Sequence, residues 1–130
     1  RGLPQNPPLF VDCIDEIILF FNSHTIQKGV HMILVRNVFQ LKFGKAREAK
    51  ALVKENEALH KKYGGASSVR FLTDVTGQYY TFVMETTHEN LAAFEKSMTD
   101  VTGAKEFGEW YQKFTPLIES GRREIFSVVS

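Results

Sequence analysis

The stretch Met32-Ile33-Leu34-Val35-Arg36-Asn37-Val38-Phe39-Gln40-Leu41-Lys42-Phe43-Gly44 decides the fold. Its odd-numbered residues Ile33, Val35, Phe39, Leu41 and Phe43 are apolar, whereas the even-numbered Leu34, Arg36, Val38, Gln40 and Lys42 are mixed. A period of two marks a strand whose faces differ, one turned to a core and the other away from it. The odd row is therefore the buried one. Asn37 alone interrupts it, setting an amide among five large apolar side chains.

Working outward, Gly44 ends the strand and Lys45 to Tyr63 takes up a helical period. Ala49, Leu52, Val53, Leu59 and Tyr63 form its apolar stripe, opposite a face of Lys and Glu. Gly64-Gly65 reads as a left-handed C-terminal cap. Val69 to Val75 and Tyr79 to Thr86 then read as two strands joined by a tight loop at Thr76-Gly77. An even loop sets Phe71 opposite Phe82, Thr73 opposite Tyr80 and Val69 opposite Met84, all on one face. Thr86-Thr87-His88-Glu89 fits a capping box before the apolar series Leu91, Phe94, Met98. After an interruption at Asp100 to Gly103, Phe107, Trp110, Tyr111, Phe114, Leu117 and Ile118 share one side of a second helical stretch. Pro116 kinks or finishes it, and Ser120-Gly121 turns the chain into a last strand over Glu124 to Val129. The order is β-α-β-β-α-β, an α+β, ferredoxin-like antiparallel sheet with helices on one face.

Composition agrees with one folded unit: 130 residues, 43% hydrophobic and 24% charged. The domain is assigned to residues 32–130, with Met32 at the threshold of the first strand, and residues 1–31 form an N-terminal extension. Within that extension, Asp12, Asp15 and Glu16 break the apolar run Leu9 to Phe21, against both a signal-peptide core and a membrane span. The run either docks on the domain as an extra element or takes no part in the fold. Cys13 is the one cysteine, so no internal disulfide forms and a reducing, cytoplasmic setting is expected. The 16 basic and 15 acidic residues give a formal charge of +1 and no broad field for nucleic acid or anionic lipid. A domain near 100 residues buries roughly 60–65% of its unfolded surface, so a face shared with a second subunit would help it.

Asn37 is the leading candidate for a functional residue. A buried amide is either satisfied within the core, the commoner arrangement, or directed at a ligand. Trp110, Tyr111 and Phe114 either line a cavity or are plain core, and Tyr80 either points its hydroxyl into that cavity or rests at its edge. His24, His31, His60 and His88 lie in different segments with no metal-ligand spacing and are taken as surface residues. Asp74 and Glu85 are expected to pair with Arg36 or Arg70 on the mixed face. No phosphate loop or nucleophile elbow occurs.

Val35-Arg36-Asn37-Val38-Phe39, the hairpin Leu72-Thr73-Asp74-Val75-Thr76-Gly77 leading to Phe82-Val83-Met84-Glu85, Leu91-Ala92-Ala93-Phe94, and Phe107-Gly108-Glu109-Trp110-Tyr111 carry a resemblance. Over Met32 to Val129 the chain resembles the dimeric α+β barrel superfamily, in particular its NIPSNAP-like and antibiotic-biosynthesis-monooxygenase-like members. That resemblance implies a homodimer joined through the mixed sheet faces, and a pocket in each subunit between helices and apolar sheet face. In the haem-degrading members an Asn, a Trp and a His form the site. Asn37 matches the first, but no Trp stands near Glu85 and Thr86, and Tyr111 stands where the axial His belongs. Haem oxygenation is therefore not expected, and no cofactor is implied.

The strand order is also that of RNA-recognition modules, and Tyr80-Thr81-Phe82-Val83 is similar to the core of their third-strand motif. Leu34 replaces the stacking aromatic, Gln78 the basic residue and Tyr79 the glycine, so no nucleic acid is expected as a partner. The expected function is binding of a small apolar or aromatic molecule, anchored by Asn37 and walled by Tyr80, Phe82, Trp110, Tyr111 and Phe114. The alternatives are a cofactor-independent monooxygenase using the same pocket, and an interaction role with no cavity. A void of roughly 300 Å³ or more beside Asn37 is the mark of a ligand site.

Overall fold

A computed structural model describes residues 32–130. The expectations for Leu9 to Phe21, Cys13, His24 and His31 lie outside these described residues. The elements are β1 (Ile33–Leu41), α1 (Ala46–Ala51), α2 (Val53–Tyr63), β2 (Ser68–Thr73), β3 (Thr81–His88), α3 (Leu91–Thr102), α4 (Lys105–Phe114), a single 3-10 turn (Thr115–Leu117) and β4 (Ile118–Ser127). The strands form one antiparallel sheet in the order β2-β3-β1-β4. This is the α+β, ferredoxin-like arrangement that the alternation in β1 implied.

β1 is hydrogen-bonded along both edges, so its parity is shared by the whole sheet. Val35 stands between Thr86 and Ile125, Asn37 between Met84 and Arg123, and Phe39 between Phe82 and Gly121. The odd row packs under the helices in two clusters. Leu41, Phe82, Ala49, Leu59, Trp110, Phe114 and Leu117 form the larger; Ile33, Val35 and Phe94 form the smaller. Phe43 leaves the row, because the strand ends at Leu41, and it is 83% exposed with its ring against Tyr80.

Several local expectations are corrected. The β2–β3 hairpin is slipped by two residues, so Phe71 faces Met84, Thr73 faces Phe82 and Val69 faces Thr86. The loop is longer than Thr76-Gly77. Asp74 Oδ1 accepts from the Thr81 amide at 3.0 Å, the Thr81 hydroxyl donates to the Gln78 carbonyl, and Gly77 and Tyr80 adopt left-handed φ of 108° and 61°. Asp74 thus serves the loop rather than an arginine. A slip of two preserves the faces, so the core is unchanged.

The first helix is broken at Leu52, whose carbonyl accepts both the Asn56 amide and the Trp110 indole N–H. Gly64 is extended (φ −86°, ψ 149°) rather than left-handed; a Cβ there would lie 2.9 Å from the His60 carbonyl oxygen. Thr86 caps nothing, for it is a paired strand residue. The cap of α3 is Asn90, whose side chain accepts from the Ala93 amide at 2.8 Å. Ser120-Gly121 is not a turn. β4 begins at Ile118 and runs straight through Gly121, where a Cβ would come 3.0 Å from the Phe39 ring.

The position of the α3 cap is open to measurement. Asn90→Ala should lower stability by about 1 kcal/mol and Asn90→Gly by only a few tenths, read from denaturant midpoints. An Asn90→Ala protein as stable as the parent would contradict this cap.

Candidate functional site

Between the helix-facing side of the sheet and helices α2, α3 and α4 lies a cavity of about 100 Å³. Phe39, Phe71, Phe82 and Met84 rise from the strands, and Met98, Val101, Phe107, Trp110 and Phe114 descend from the helices. The rings brace one another: Trp110 stacks on Phe114 at 4.6 Å between centroids, and Phe114 meets Phe39 edge-on at 5.2 Å. The indole cannot turn freely, because its N–H donates to the Leu52 carbonyl at 3.0 Å. Of the expected wall residues, Phe82, Trp110, Tyr111 and Phe114 line this cavity beside Asn37. Tyr80 does not. Its left-handed backbone at the hairpin end carries the ring toward Phe43, 4.7 Å away. The volume is also smaller than the 300 Å³ of an ordinary ligand site, and nearer the roughly 150 Å³ that admits a benzene ring.

Asn37 is 5% exposed and sits in the cavity floor. Its Oδ1 accepts from Nε of Arg123 at 2.8 Å, across the β1–β4 pairing that sets the two residues side by side. Arg123 also lines the cavity, with its guanidinium carbon 5.5 Å from the Phe94 ring centre. Sequence reasoning missed Arg123 by starting the last strand at Glu124, six residues after it begins at Ile118. Its shared parity with Ile125 would have placed it beneath the helices.

The sequence reading also put His60 and His88 at the surface, and both are buried. His60, in the cavity wall, continues the α2 stripe of Asn56, Leu59 and Tyr63 and was overlooked as part of it. His88 lies where β3 extends beyond the expected cap, its Nε2 3.0 Å from the Thr86 hydroxyl and its ring against Phe94. Burial lowers the pKa of His60. Burial, and secondarily the charge of His60, lowers that of His88 to about 4. Asn56 Oδ1 and Nδ1 of both histidines have no hydrogen-bond partner among the described residues. Among these residues no three His, Cys, Asp or Glu side chains gather as a metal site, and no helix is long and apolar enough to cross a membrane.

The sheet's outer face has a different character. Arg70, Glu85, Arg36 and Glu124 lie in one row across the four strands, alternating in sign. Glu85 accepts from Arg36 at 2.8 Å and from Arg70, as its expected pairing required. Burial pushes the Glu85 carboxyl up, but the hydrogen bonds from Arg70 and Arg36 outweigh it and the net pKa is lowered. The next row, Leu72, Val83, Val38 and Arg122, is mostly apolar.

No protein-family model matches the sequence, and no curated protein does. Solved structures do match. A NIPSNAP-like domain protein from Burkholderia xenovorans is 20% identical with a TM-score of 0.69, over 78% of this chain and 89% of that one. A NIPSNAP family protein with unknown function from Agrobacterium tumefaciens is 16% identical with a TM-score of 0.71, over 80% and 94%. SnoaB, a cofactor-independent oxygenase from Streptomyces nogalater, is 13% identical with a TM-score of 0.61, over 77% and 95%. The fold is the α+β fold of NIPSNAP-family and antibiotic-biosynthesis-monooxygenase-like proteins.

The buried histidines make stability depend on pH. A folded-state pKa below the ordinary 6.5 means that protonation favours the unfolded chain. Stability is full above that value and falls as pH drops toward about 4, by roughly 3 kcal/mol for His88 alone. Glu85 acts in a separate, more acid range, its contribution lost only as pH falls below the ordinary 4.5. Denaturant midpoints between those two histidine limits should therefore decline in the parent and flatten in His88→Gln; a flat parent profile would contradict the buried neutral imidazoles.

Proposed function

We propose that the chain is a homodimer whose subunits each bind a small apolar or aromatic molecule between sheet and helices. The observation that carries this reading is the ring-walled cavity with one buried amide, Asn37, in its floor. Aromatic walls supply dispersion and apolar transfer energy, while polar groups such as the Asn37 amide fix orientation. Its size suits one ring rather than several. Phe82, Trp110, Tyr111 and Phe114 are the walls, and Tyr111, 38% exposed, stands at the mouth. The cell compartment that suits the lone cysteine is the cytoplasm.

The outer face supports the dimer. Reversing the row Arg70, Glu85, Arg36, Glu124 inverts every sign, so a copy turned about a two-fold axis along the strands meets opposite charge at each position. The row Leu72, Val83 and Val38 beside it supplies apolar surface for the same contact. No nucleic acid or membrane is needed as a partner.

A second reading, oxygenation of a bound aromatic substrate without a cofactor, is favoured by the fold shared with SnoaB. On that reading the same cavity holds an oxidisable single-ring substrate, and Asn37 binds its anion.

Trp110 is the chain's one tryptophan, and its fluorescence reports on the cavity directly. Titration with indole-free apolar probes such as toluene or benzyl alcohol should give a saturable change that Val101→Phe, which puts a ring into the cavity, abolishes. A response that fails to saturate, or that survives in this variant, would contradict the ligand pocket. Dissolved oxygen consumed with a hydroquinone but not in the Val101→Phe protein would establish the second reading; no consumption leaves a binding protein.

A further inference from the structure

We infer that the cavity selects molecules that carry a hydroxyl hydrogen, and that the imidazole of His60 is the group that recognises it. This rests on the ligand pocket proposed above and names both the class of molecule that enters it and the residue that makes the choice.

His60 is 8% exposed and stands in the cavity wall, in the last turn of α2. Buried polar groups are as a rule paired, yet Nδ1 of His60 has no hydrogen-bond partner among the described residues. That nitrogen is closed off by the chain itself. The place that a Cβ on Gly64 would occupy lies 3.1 Å from Nδ1 and 2.9 Å from the His60 carbonyl oxygen, so Nδ1 is packed at the carbonyl end of the helix. With Nδ1 enclosed there, exchange with a molecule in the cavity falls to Nε2.

The same placement settles which nitrogen holds the hydrogen. The last carbonyls of a helix form its negative end, which attracts a hydrogen on Nδ1 and repels a lone pair. The hydrogen therefore belongs on Nδ1, and Nε2 presents a lone pair. Burial lowers the pKa of the ring, so it stays neutral and keeps that acceptor at neutral pH. Other polar groups of the wall are differently committed. Asn37 Oδ1 accepts from Arg123, which leaves the amide hydrogens of Asn37 as donors, and the Thr102 hydroxyl donates to the Met98 carbonyl. His88 lies outside the lining, bonded to Thr86. An oxygen that donates to His60 and accepts from Asn37 satisfies both; a hydroxyl does so, and an ether or carbonyl oxygen does not. In a cavity of about 100 Å³ one small molecule reaches both residues. A site built on such a bond rejects an isostere without the hydrogen, because the imidazole is then left unpaired.

The test titrates the full chain calorimetrically with phenol, toluene and benzaldehyde, which share one ring and of which phenol alone donates a hydrogen bond. The quantity read is the ratio of phenol to toluene affinity, compared between proteins so that differences in probe hydration cancel. His60→Leu should lower that ratio at least about tenfold while toluene still binds, and His60→Gln, whose amide oxygen accepts, should keep part of it. The ratio of benzaldehyde to toluene should be the same in parent and His60→Leu. Folding of each variant is checked by its melting temperature. A phenol ratio that survives in a folded His60→Leu protein, or a benzaldehyde ratio that falls with it, overturns the inference and leaves the pocket standing. If none of the three probes binds the parent, the pocket itself is absent and the inference falls with it. Should His60→Leu not fold, nitrogen NMR of the parent with labelled histidine decides. Phenol should move the resonance of an unprotonated imidazole nitrogen that toluene leaves in place, and no such shift overturns the inference.

Discussion

Both edges of β1 are paired, to β3 on one side and β4 on the other, and this double pairing constrains everything else in the domain. A strand fixed on two sides cannot slide by one residue without carrying every odd-numbered side chain out of the core. Ile33, Val35 and Leu41 are buried under the helices, and that burial sets the register for all four strands. The same parity delivers two polar residues to the core side, Asn37 and Arg123, in adjacent positions. Their proximity is a consequence of the register that the hydrophobic row imposes.

A buried amide in a hydrocarbon layer is costly unless it is satisfied, and the bond from the half-buried Arg123 meets part of that cost. Apolar residues at both positions would pack without it. What such residues would lack is a polar group in the floor of the cavity. On the outer face the even-numbered residues solve a different problem, pairing charges along a row so that Glu85 can be buried between Arg36 and Arg70. One strand thus divides the sheet into an apolar side beneath the helices and an outer side of paired charges.

Much of this was legible in the sequence because it depends on parity. The alternation in β1, the faces of β2 and β3 and the aromatic stripe of α4 are properties of spacing, and tertiary packing left them intact. The errors occurred where a local signal competed with a longer-range one. Thr86 has a good capping sequence, yet its pairing with Val35 and Val69 keeps it in the sheet, and the cap falls to Asn90. Gly121 reads as a turn residue, but it is there because Phe39 lies against it. Extending β4 back through Gly121 is what brings Arg123 into the site. The burial of His60 and His88 was missed for a related reason: each lies on an apolar face whose extent depends on where its element ends.

The central proposal is that the odd-numbered face encloses a pocket for a small aromatic molecule and that the even-numbered face meets a second copy. A crystal structure grown with bromobenzene tests both halves at once. The expected result is a two-fold dimer joined across the row Arg70, Glu85, Arg36 and Glu124, with the bromobenzene ring among Phe82, Trp110 and Phe114 beside Asn37. Bromine bound elsewhere, a cavity closed by its own side chains, or an outer sheet face left open to solvent would contradict it.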